Sequence, residues 1–208
     1  MGLDQQEKTA GRATFSDDVL RLEVSGPEQE HFSVVDVPGI FRKTTEGLTT
    51  KADREMVEAM VRRYMENPRS VMLAVIPSNV DIATQEILSM AEEMDVDGHR
   101  TLGVLTKPDL VDKGAEPAVV ELIEGKRHKL NLGWCLVRNP GQMQLDDPNT
   151  DRDAVEKTFF RTVAPWKSLN KDRVGMGALR VRLQETLAIH IHREFPKVGD
   201  TSRNAVLD

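Results

Sequence analysis

A lysine and an aspartate follow an apolar run in the segment TLGVLTKPDLVD, residues 101–112. The run ends at Thr106-Lys107-Pro108-Asp109. In sheets of parallel strands, ligands bind outside the carboxyl ends of the strands. A carboxylate there is able to accept two hydrogen bonds from the edge of a guanine, one from the ring N–H and one from the amino group. Since adenine does not offer that pair, the segment indicates a guanine-reading loop. The alternative is a turn with a surface ion pair.

The selectivity of such a loop comes from the carboxylate of Asp109. Facing adenine, a buried carboxylate would lose charge-assisted hydrogen bonds of about 1.5–3 kcal/mol each. Discrimination then follows from an unpaired polar group rather than from shape. Lys107 is expected to lay its aliphatic stem against the base and to help order the loop.

A second candidate loop lies in FSVVDVPGIF, residues 32–41. Asp36 stands near the end of an apolar run, where an aspartate can hold Mg²⁺, usually through a water. Gly39 has no side chain, so its backbone N–H can approach a γ-phosphate closely. The alternative is an ordinary Pro-Gly turn after a strand. The order of the two loops, DxPG first and TKxD about 70 residues later with one strand-helix unit between, favours a GTPase.

Composition excludes several other classes of protein. The 208 residues suit one ordinary domain, and a net charge of -6 argues against nucleic-acid binding. No apolar run reaches the length of a membrane span, and the N-terminus has no signal-peptide core. Cys135 is the single cysteine, inside the apolar run LGWCLV. We therefore expect a buried core thiol and a reducing, cytoplasmic setting.

Strands alternate with helices along the chain, a pattern typical of an α/β fold. Two β-rich runs at 18–24 and 31–37 flank the turn pair Gly26-Pro27 and predict an antiparallel hairpin. Further strands are predicted at 70–77, buried on both faces, at 100–106 and at 132–137. Helical spacing predicts helices over 56–65, 83–94 and 179–195, the last ended by Pro196. A short helix is also predicted, with Pro117 one turn from its start and Gly125 closing it, and a long loop at 139–153.

Longer stretches carry a family resemblance. The chain resembles the large GTPases of the dynamin superfamily and looks most like the dynamin-like and Mx-like branch. The resemblance covers residues 14–198 as one partial GTPase domain, between an N-terminal tail at 1–13, expected to be disordered, and a C-terminal tail at 199–208. It rests on FSDDVLRLEVSGPEQEHFSVVDVPGIF, YMENPRSVMLAVIPSNVDIATQEIL, DVDGHRTLGVLTKPDLVDKG, LGWCLVRNP and VGMGALRVRLQETLAIHIHREFP.

This resemblance implies a three-layer nucleotide-binding GTPase fold that uses Mg²⁺ with GTP. It assigns Asp36 to magnesium, Gly39 to the γ-phosphate, and Asn139 to the base side of the site. Pro140 departs from the family, where many relatives carry arginine. The resemblance also assigns Thr106, Lys107 and Asp109 to binding of the guanine ring.

The same resemblance implies partners. Asp81, in PSNVDIA, and Asp112 fall where the family pairs two GTPase domains, which implies a homo- or heterodimer through that face. Membrane remodelling, and any membrane or microtubule association, is implied by the family name alone.

Several elements of the family have no counterpart in these residues, and the phosphate loop is the first. A phosphate loop reads GxxxxGK[S/T], and the one glycine pair with that spacing, Gly98 and Gly103, is followed by Val104 without a lysine or hydroxyl. The family's first strand, first helix and switch threonine have no counterpart, and its helical stalk would begin where the sequence stops. The expectation is therefore a truncated domain.

The absent loop sets the expected function. We expect a guanine-nucleotide-binding domain of the GTPase class with impaired binding and hydrolysis, because positioning and charge neutralisation dominate phosphoryl transfer. Its catalytic residues are unassigned. Three alternatives stay open: a non-enzymatic module that pairs with full-length relatives, an incomplete fragment without independent function, and a GTPase completed by another chain. In the related fold the missing strand lies between 31–37 and 70–77, so unpaired strand edges are also expected.

Overall fold

A computed structural model describes residues 15–27, 33–40 and 49–204. The chain divides into two compact units, Met1–Asn67 and Pro68–Asp208. The tail expected at 1–13 lies outside the described residues. In the described part of the chain, no helix is long and apolar enough to cross a membrane.

The first unit contains helix α1, Lys51–Met65. Thr50 and Asp53 begin it with a capping box: the Thr50 hydroxyl accepts from the Asp53 N–H at 3.1 Å, and the Asp53 carboxylate accepts from the Thr50 N–H at 2.7 Å. The helix ends before Asn67-Pro68, as predicted, because the residue before a proline disfavours the helical conformation.

The predicted hairpin is wrong for the residues that the structure describes. Residues 18–24 and 33–37 form no strand, and the side chains of Leu22, Val24 and Val34 are largely exposed. Residues 31 and 32 lie outside the described residues. Since a strand is stabilised by its neighbours, an alternating pattern does not form one where no strand lies beside it.

The second unit is built on a parallel sheet, which confirms the predicted α/β class. Its three strands lie in the order β1 (Met72–Pro77), β2 (Thr101–Thr106) and β3 (Trp134–Leu136). Ala74 pairs with Gly103, and Gly103 pairs with Trp134. Because all three strands are parallel, their carboxyl ends meet at one edge.

Helices follow each strand. They are α2 (Glu86–Met94), α3 (Glu116–Ile123), α4 (Gln142–Leu145), α5 (Arg152–Thr162) and α6 (Met176–Asn204). Short 3₁₀ turns occupy Ile82–Thr84, Pro108–Leu110, Trp166–Ser168 and Lys171–Arg173.

Apolar side chains cover both faces of β2 and β3. On one face, residues of the sheet pack with α2, α3 and α5 and with the chain after α5; this core includes Ala74, Ile76, Leu88, Leu105, Val119, Leu122, Ile123, Trp134, Leu136, Phe160 and Trp166. On the other face α6 contributes Leu179 and Leu183 to a smaller core with Leu102, Val104, Cys135 and Val137. The result is a three-layer arrangement of helices, sheet and helix.

Strand β1 differs from the prediction that it is buried on both faces. Ala74 and Ile76 are buried, whereas Leu73 and Val75 are 41% and 54% exposed. The second face of the sheet carries α6, whose leucines contact residues of β2 and β3. Strand β1 is therefore an edge strand with one face open within the described residues.

The C-terminal half holds two further corrections. The loop predicted at 139–153 contains α4 and the start of α5, and Asp151 caps α5 by accepting from the Ala154 N–H at 3.0 Å. Helix α6 continues past Pro196 to Asn204, and so into the tail expected at 199–208. A proline removes one helical hydrogen bond, but its φ is compatible with a helix, so it need not end one.

Candidate functional site

The carboxyl ends of β1 and β2 are tied together at the sheet edge. The backbone N–H and the hydroxyl of Ser78 both donate to the carbonyl of Thr106, each at 2.7 Å. The hydroxyl of Thr106 donates to the carbonyl of Ile76 at 3.5 Å. Thr106 is buried, and its side chain holds the strands that support the predicted base-reading loop.

The loop itself starts with a sharp backbone turn. Lys107 adopts the left-handed conformation, φ 56° and ψ 47°, and its side chain is exposed. A non-glycine residue there costs roughly 1–2 kcal/mol. Pro108 is fully buried and anchors the turn Pro108–Leu110, which presents Asp109 at the surface. Strain of this kind clusters at functional sites, and no residue type in the loop predicts it.

Asp109 lies beside an arginine from the neighbouring strand. The Nε atom of Arg138, two residues after β3, is 3.9 Å from the Oδ2 atom of Asp109. The arginine side chain is 14% exposed and the aspartate side chain 32%. The ion pair joins the loop after β2 to the segment after β3, so Asp109 and the neighbourhood of Asn139 come together at one edge of the sheet.

Arg138 is fixed by groups from two helices. Its Nη2 donates to the Gln144 side chain of α4 at 3.1 Å, and its guanidinium lies 5.3 Å from the ring centre of Phe159 of α5. Its backbone N–H donates to the buried carboxylate of Glu156 at 2.8 Å, and that carboxylate also accepts from the Met176 N–H at the start of α6. Sequence reasoning missed Arg138, although it stands next to Asn139 in LVRNP.

The other predicted base-side residue is less constrained. Asn139 is exposed and Pro140 is half-buried. The position of Asn139 after β3 agrees with a place at the carboxyl edge of the sheet. Its neighbour Arg138 brings that segment to within ion-pair distance of the loop at 106–109.

The predicted phosphate-side residues lie in the first unit. Asp36 and Gly39 are exposed, and residues 33–40 form no strand. Within the described ranges, an added Cβ at Gly39 would meet no atom within 4 Å. Among the described residues no group of three or more His, Cys, Asp or Glu side chains forms a metal site. A single aspartate suits Mg²⁺ only where substrate phosphates and water complete the coordination.

The predicted interface residues are both at the surface. Asp81 begins the turn Ile82–Thr84, and its carboxylate accepts from the Ala83 N–H at 3.0 Å. Asp112 is exposed in the segment after the base-reading loop. Asp81 follows β1 and Asp112 follows β2, so both come after the carboxyl ends of neighbouring strands.

Two residues of the sheet have packing roles. Gly103 lies beneath the indole of Trp134, where an added Cβ would approach ring atoms to 2.2 Å, so this glycine serves the core of the sheet. Cys135 is fully buried, as predicted. Burial raises the pKa of its thiol above the ordinary value, against the smaller lowering effects of Arg182 and Arg173. A protonated buried thiol is a poor nucleophile.

Two family models match the chain. Residues 3–108 match the dynamin family, and residues 118–206 match the dynamin central region. The boundary between these matches does not divide the fold, because β2 in the first match pairs with β3 in the second. Both strands belong to the unit Pro68–Asp208.

Several relatives are 36–37% identical to this chain over the residues that align with it. An interferon-induced GTP-binding protein Mx of Epinephelus coioides is 36% identical over 95% of this chain and 32% of its own length. The Mx protein of Perca fluviatilis is 37% identical over 81% of this chain and 57% of its own length. Mx1 of Equus caballus is 37% identical over 88% of this chain and 28% of its own length. The chain thus spans between 28% and 57% of the length of these relatives.

Proposed function

The chain belongs to the dynamin family, and on this premise we propose that it binds the guanine base of a nucleotide through residues 106–109. One observation carries the proposal: Asp109 stands exposed at the carboxyl end of the central strand β2, on a turn anchored by buried Pro108. The names of the relatives describe GTP-binding proteins, which supports the same ligand class.

The strength of binding is limited by what these residues offer the phosphates. The sequence has no GxxxxGK[S/T] segment, so backbone amides and a lysine are not supplied to the phosphates from such a loop. Hydrogen bonds to the base and one metal-directed aspartate would supply about 4 kcal/mol after the costs of association, a Kd on the order of millimolar or weaker.

We propose that hydrolysis of GTP is impaired more than its binding. Asp36 would hold Mg²⁺ together with the phosphates of GTP, and the ion would neutralise phosphate charge when bound. Residues 33–40 are irregular, so Asp36 and Gly39 are presented without a strand to fix them. Because positioning is nearly all of catalysis in this reaction, we propose a GTPase of very low turnover in these 208 residues.

The test replaces a hydrogen-bond acceptor of the side chain at position 109 with a donor. In Asp109→Asn an amide N–H₂ donor takes the place of one carboxylate oxygen. The variant should therefore lose affinity for guanine and gain affinity for xanthine, whose C2 carries an oxygen in place of the amino group. We would titrate GMP, xanthosine monophosphate and AMP against the chain by NMR chemical-shift changes. Asp97→Asn, at an exposed aspartate before β2, is the matched control and should keep the parent preference.

Two results would contradict the proposal. Equal binding of GMP and AMP by the parent chain would exclude guanine reading. Micromolar binding of a fluorescent GTP analogue with Mg²⁺ would show that the phosphates are held after all. We expect GMP and GTP to bind within about tenfold of each other, a difference of about 1.4 kcal/mol.

A second candidate function is a non-enzymatic module that pairs with a longer relative. It is favoured by the exposure of Asp81, whose carboxylate is oriented by its bond to the Ala83 N–H. Mixing the chain with a full-length Mx protein should change the turnover of that protein, and Asp81→Ala should weaken the effect. If a saturating concentration of the chain left the GTP turnover rate of the Mx protein unchanged, this second function would be excluded.

We also propose a cytoplasmic setting. The single thiol, Cys135, is fully buried and needs no oxidising compartment. Fractionation of cells that express the tagged chain tests this, and recovery with secreted proteins would contradict it.

A further inference from the structure

We propose that Arg138 is a positioning residue that sets the base selectivity of Asp109. Its guanidinium would hold the carboxylate in the orientation that meets both donors of a guanine. This inference rests on the proposed guanine binding and adds to it a residue that neither the motif TKxD nor the family resemblance assigns.

The geometry of the pair leaves the carboxylate available to a ligand. Nε of Arg138 and Oδ2 of Asp109 are 3.9 Å apart, which is an ion pair but too long for a hydrogen bond. Among the described residues this Nε is buried without a hydrogen-bond partner. The arginine therefore attracts the carboxylate without occupying its acceptor sites, and Oδ1 and Oδ2 remain free for the ring N–H and the amino group of the base.

Arg138 is the fixed member of the pair. Gln144 accepts from its Nη2 at 3.1 Å, Phe159 lies under its guanidinium, and its backbone is bound to Glu156. Asp109 belongs to a short surface turn with a 32% exposed side chain. A restrained positive charge favours one orientation of the more exposed carboxylate beside it, which lowers the ordering cost that binding would otherwise carry.

The consequence is a change in selectivity rather than only in affinity. Hypoxanthine has the ring N–H of guanine but lacks the 2-amino group, so it forms one of the two hydrogen bonds. A carboxylate held in the right orientation forms the second hydrogen bond with guanine and so binds guanine more tightly than hypoxanthine. A freely rotating carboxylate gains less binding free energy from that second bond. Lysine would keep the charge but not the planar fork of arginine.

The experiment measures the ratio of the dissociation constants of IMP and GMP by NMR titration. The phosphate contribution is common to both nucleotides and cancels in this ratio. In the parent chain the ratio should be roughly tenfold or more, from one charge-assisted hydrogen bond. Arg138→Met should reduce this ratio to roughly two- or threefold, and the ratio of Arg138→Lys should lie between the values of the parent chain and of Arg138→Met.

A purely structural role for Arg138 predicts a different pattern. Both nucleotides would then weaken by the same factor and the ratio would stay at the parent value, which would overturn the inference. Gln144→Ala is the second variant: it removes one restraint on the guanidinium, leaves the ion pair, and should lower the ratio by a smaller factor. It keeps the inference testable if Arg138→Met does not fold.

Failure of this inference is distinguishable from failure of the proposed function. If the parent chain binds GMP and IMP equally, or binds neither, guanine reading by Asp109 is wrong and the role of Arg138 falls with it. If the parent chain prefers GMP and both variants keep the full preference, only the role of Arg138 is wrong.

Discussion

Replacing Gly103 by alanine should destabilise the second unit strongly. Gly103 is central in β2 and pairs with Trp134 of β3, whose indole lies directly over it. A Cβ at position 103 would stand 2.2, 2.5 and 2.6 Å from three ring atoms, where ordinary contacts begin at 3.4 Å. The indole or the strand must therefore move by roughly 1 Å, in a core packed as densely as a crystal.

The indole has little freedom to move. Trp134 is fully buried, and its Nε1 donates to the carbonyl of His128 at 2.9 Å. Overpacking usually costs about 1–3 kcal/mol, and the restraints on this ring place Gly103→Ala at the upper end, about 3 kcal/mol. With an m-value of about 1–3 kcal/mol/M, the urea midpoint should fall by roughly 1–3 M.

The assay is urea unfolding followed by far-UV circular dichroism. Gly177→Ala is the matched control, because a Cβ there meets nothing within 4 Å and α6 should gain up to about 1 kcal/mol from the better helix former. Combining Gly103→Ala with Trp134→Phe should cost less than the sum of the single changes. A Gly103→Ala midpoint equal to that of the parent would refute the assigned contact.

Three further predictions concern single side chains. Burial alone would raise the pKa of Asp95, but hydrogen bonds from Thr101 and from the backbone of Arg100 and His99, with the charge of Arg100, lower it below 3.8. A carboxyl whose pKa is lower in the folded state stabilises the fold at pH values above its unfolded-state pKa, so the free energy of unfolding should fall as the pH drops below about 4. In urea midpoints measured across acid pH, Asp95→Asn should make this fall less steep. Cys135, buried and with a raised pKa, should react with a maleimide only in urea, and labelling in native buffer would contradict its packing. Lys107→Gly relieves a left-handed residue and should raise the free energy of unfolding by about 1 kcal/mol, with an unchanged urea midpoint as the contrary result.

The sequence predicts the second unit better than the first. The apolar run 100–106 predicts β2, and each of its six residues is buried. The stop at Asn67-Pro68 and Pro117 in the first turn of α3 likewise match the ends of helices. These features depend on local chemistry, on burial over a whole segment or on a proline, so they are readable without knowledge of neighbours.

Features that depend on neighbours were harder to predict. The run 18–24 alternates as a strand should, yet it forms none, because alternation shows which side chains would share a face and not whether another strand lies beside them. The exposure of Leu73 and Val75 has the same origin, since it depends on where α6 packs. Helix α5 was missed because only Glu156 and Phe160 of its residues are buried, which leaves a weak apolar pattern.

The candidate site divides along the same line. Its base-side residues stand on hydrogen-bonded strand ends, where the bond from Ser78 to Thr106 and the restraints on Arg138 are built by the core of the second unit. Its phosphate-side residues, Asp36 and Gly39, stand on an irregular exposed segment of the first unit. Recognition of a base needs a carboxylate held in one orientation, and the contacts that restrain Arg138, the residue we propose for this positioning, all belong to the second unit. Phosphoryl transfer needs charges held in register along the whole triphosphate, which the described part of the first unit does not fix. We therefore propose that base selectivity is separable from hydrolysis in this chain, because the residues proposed for the two activities belong to different units.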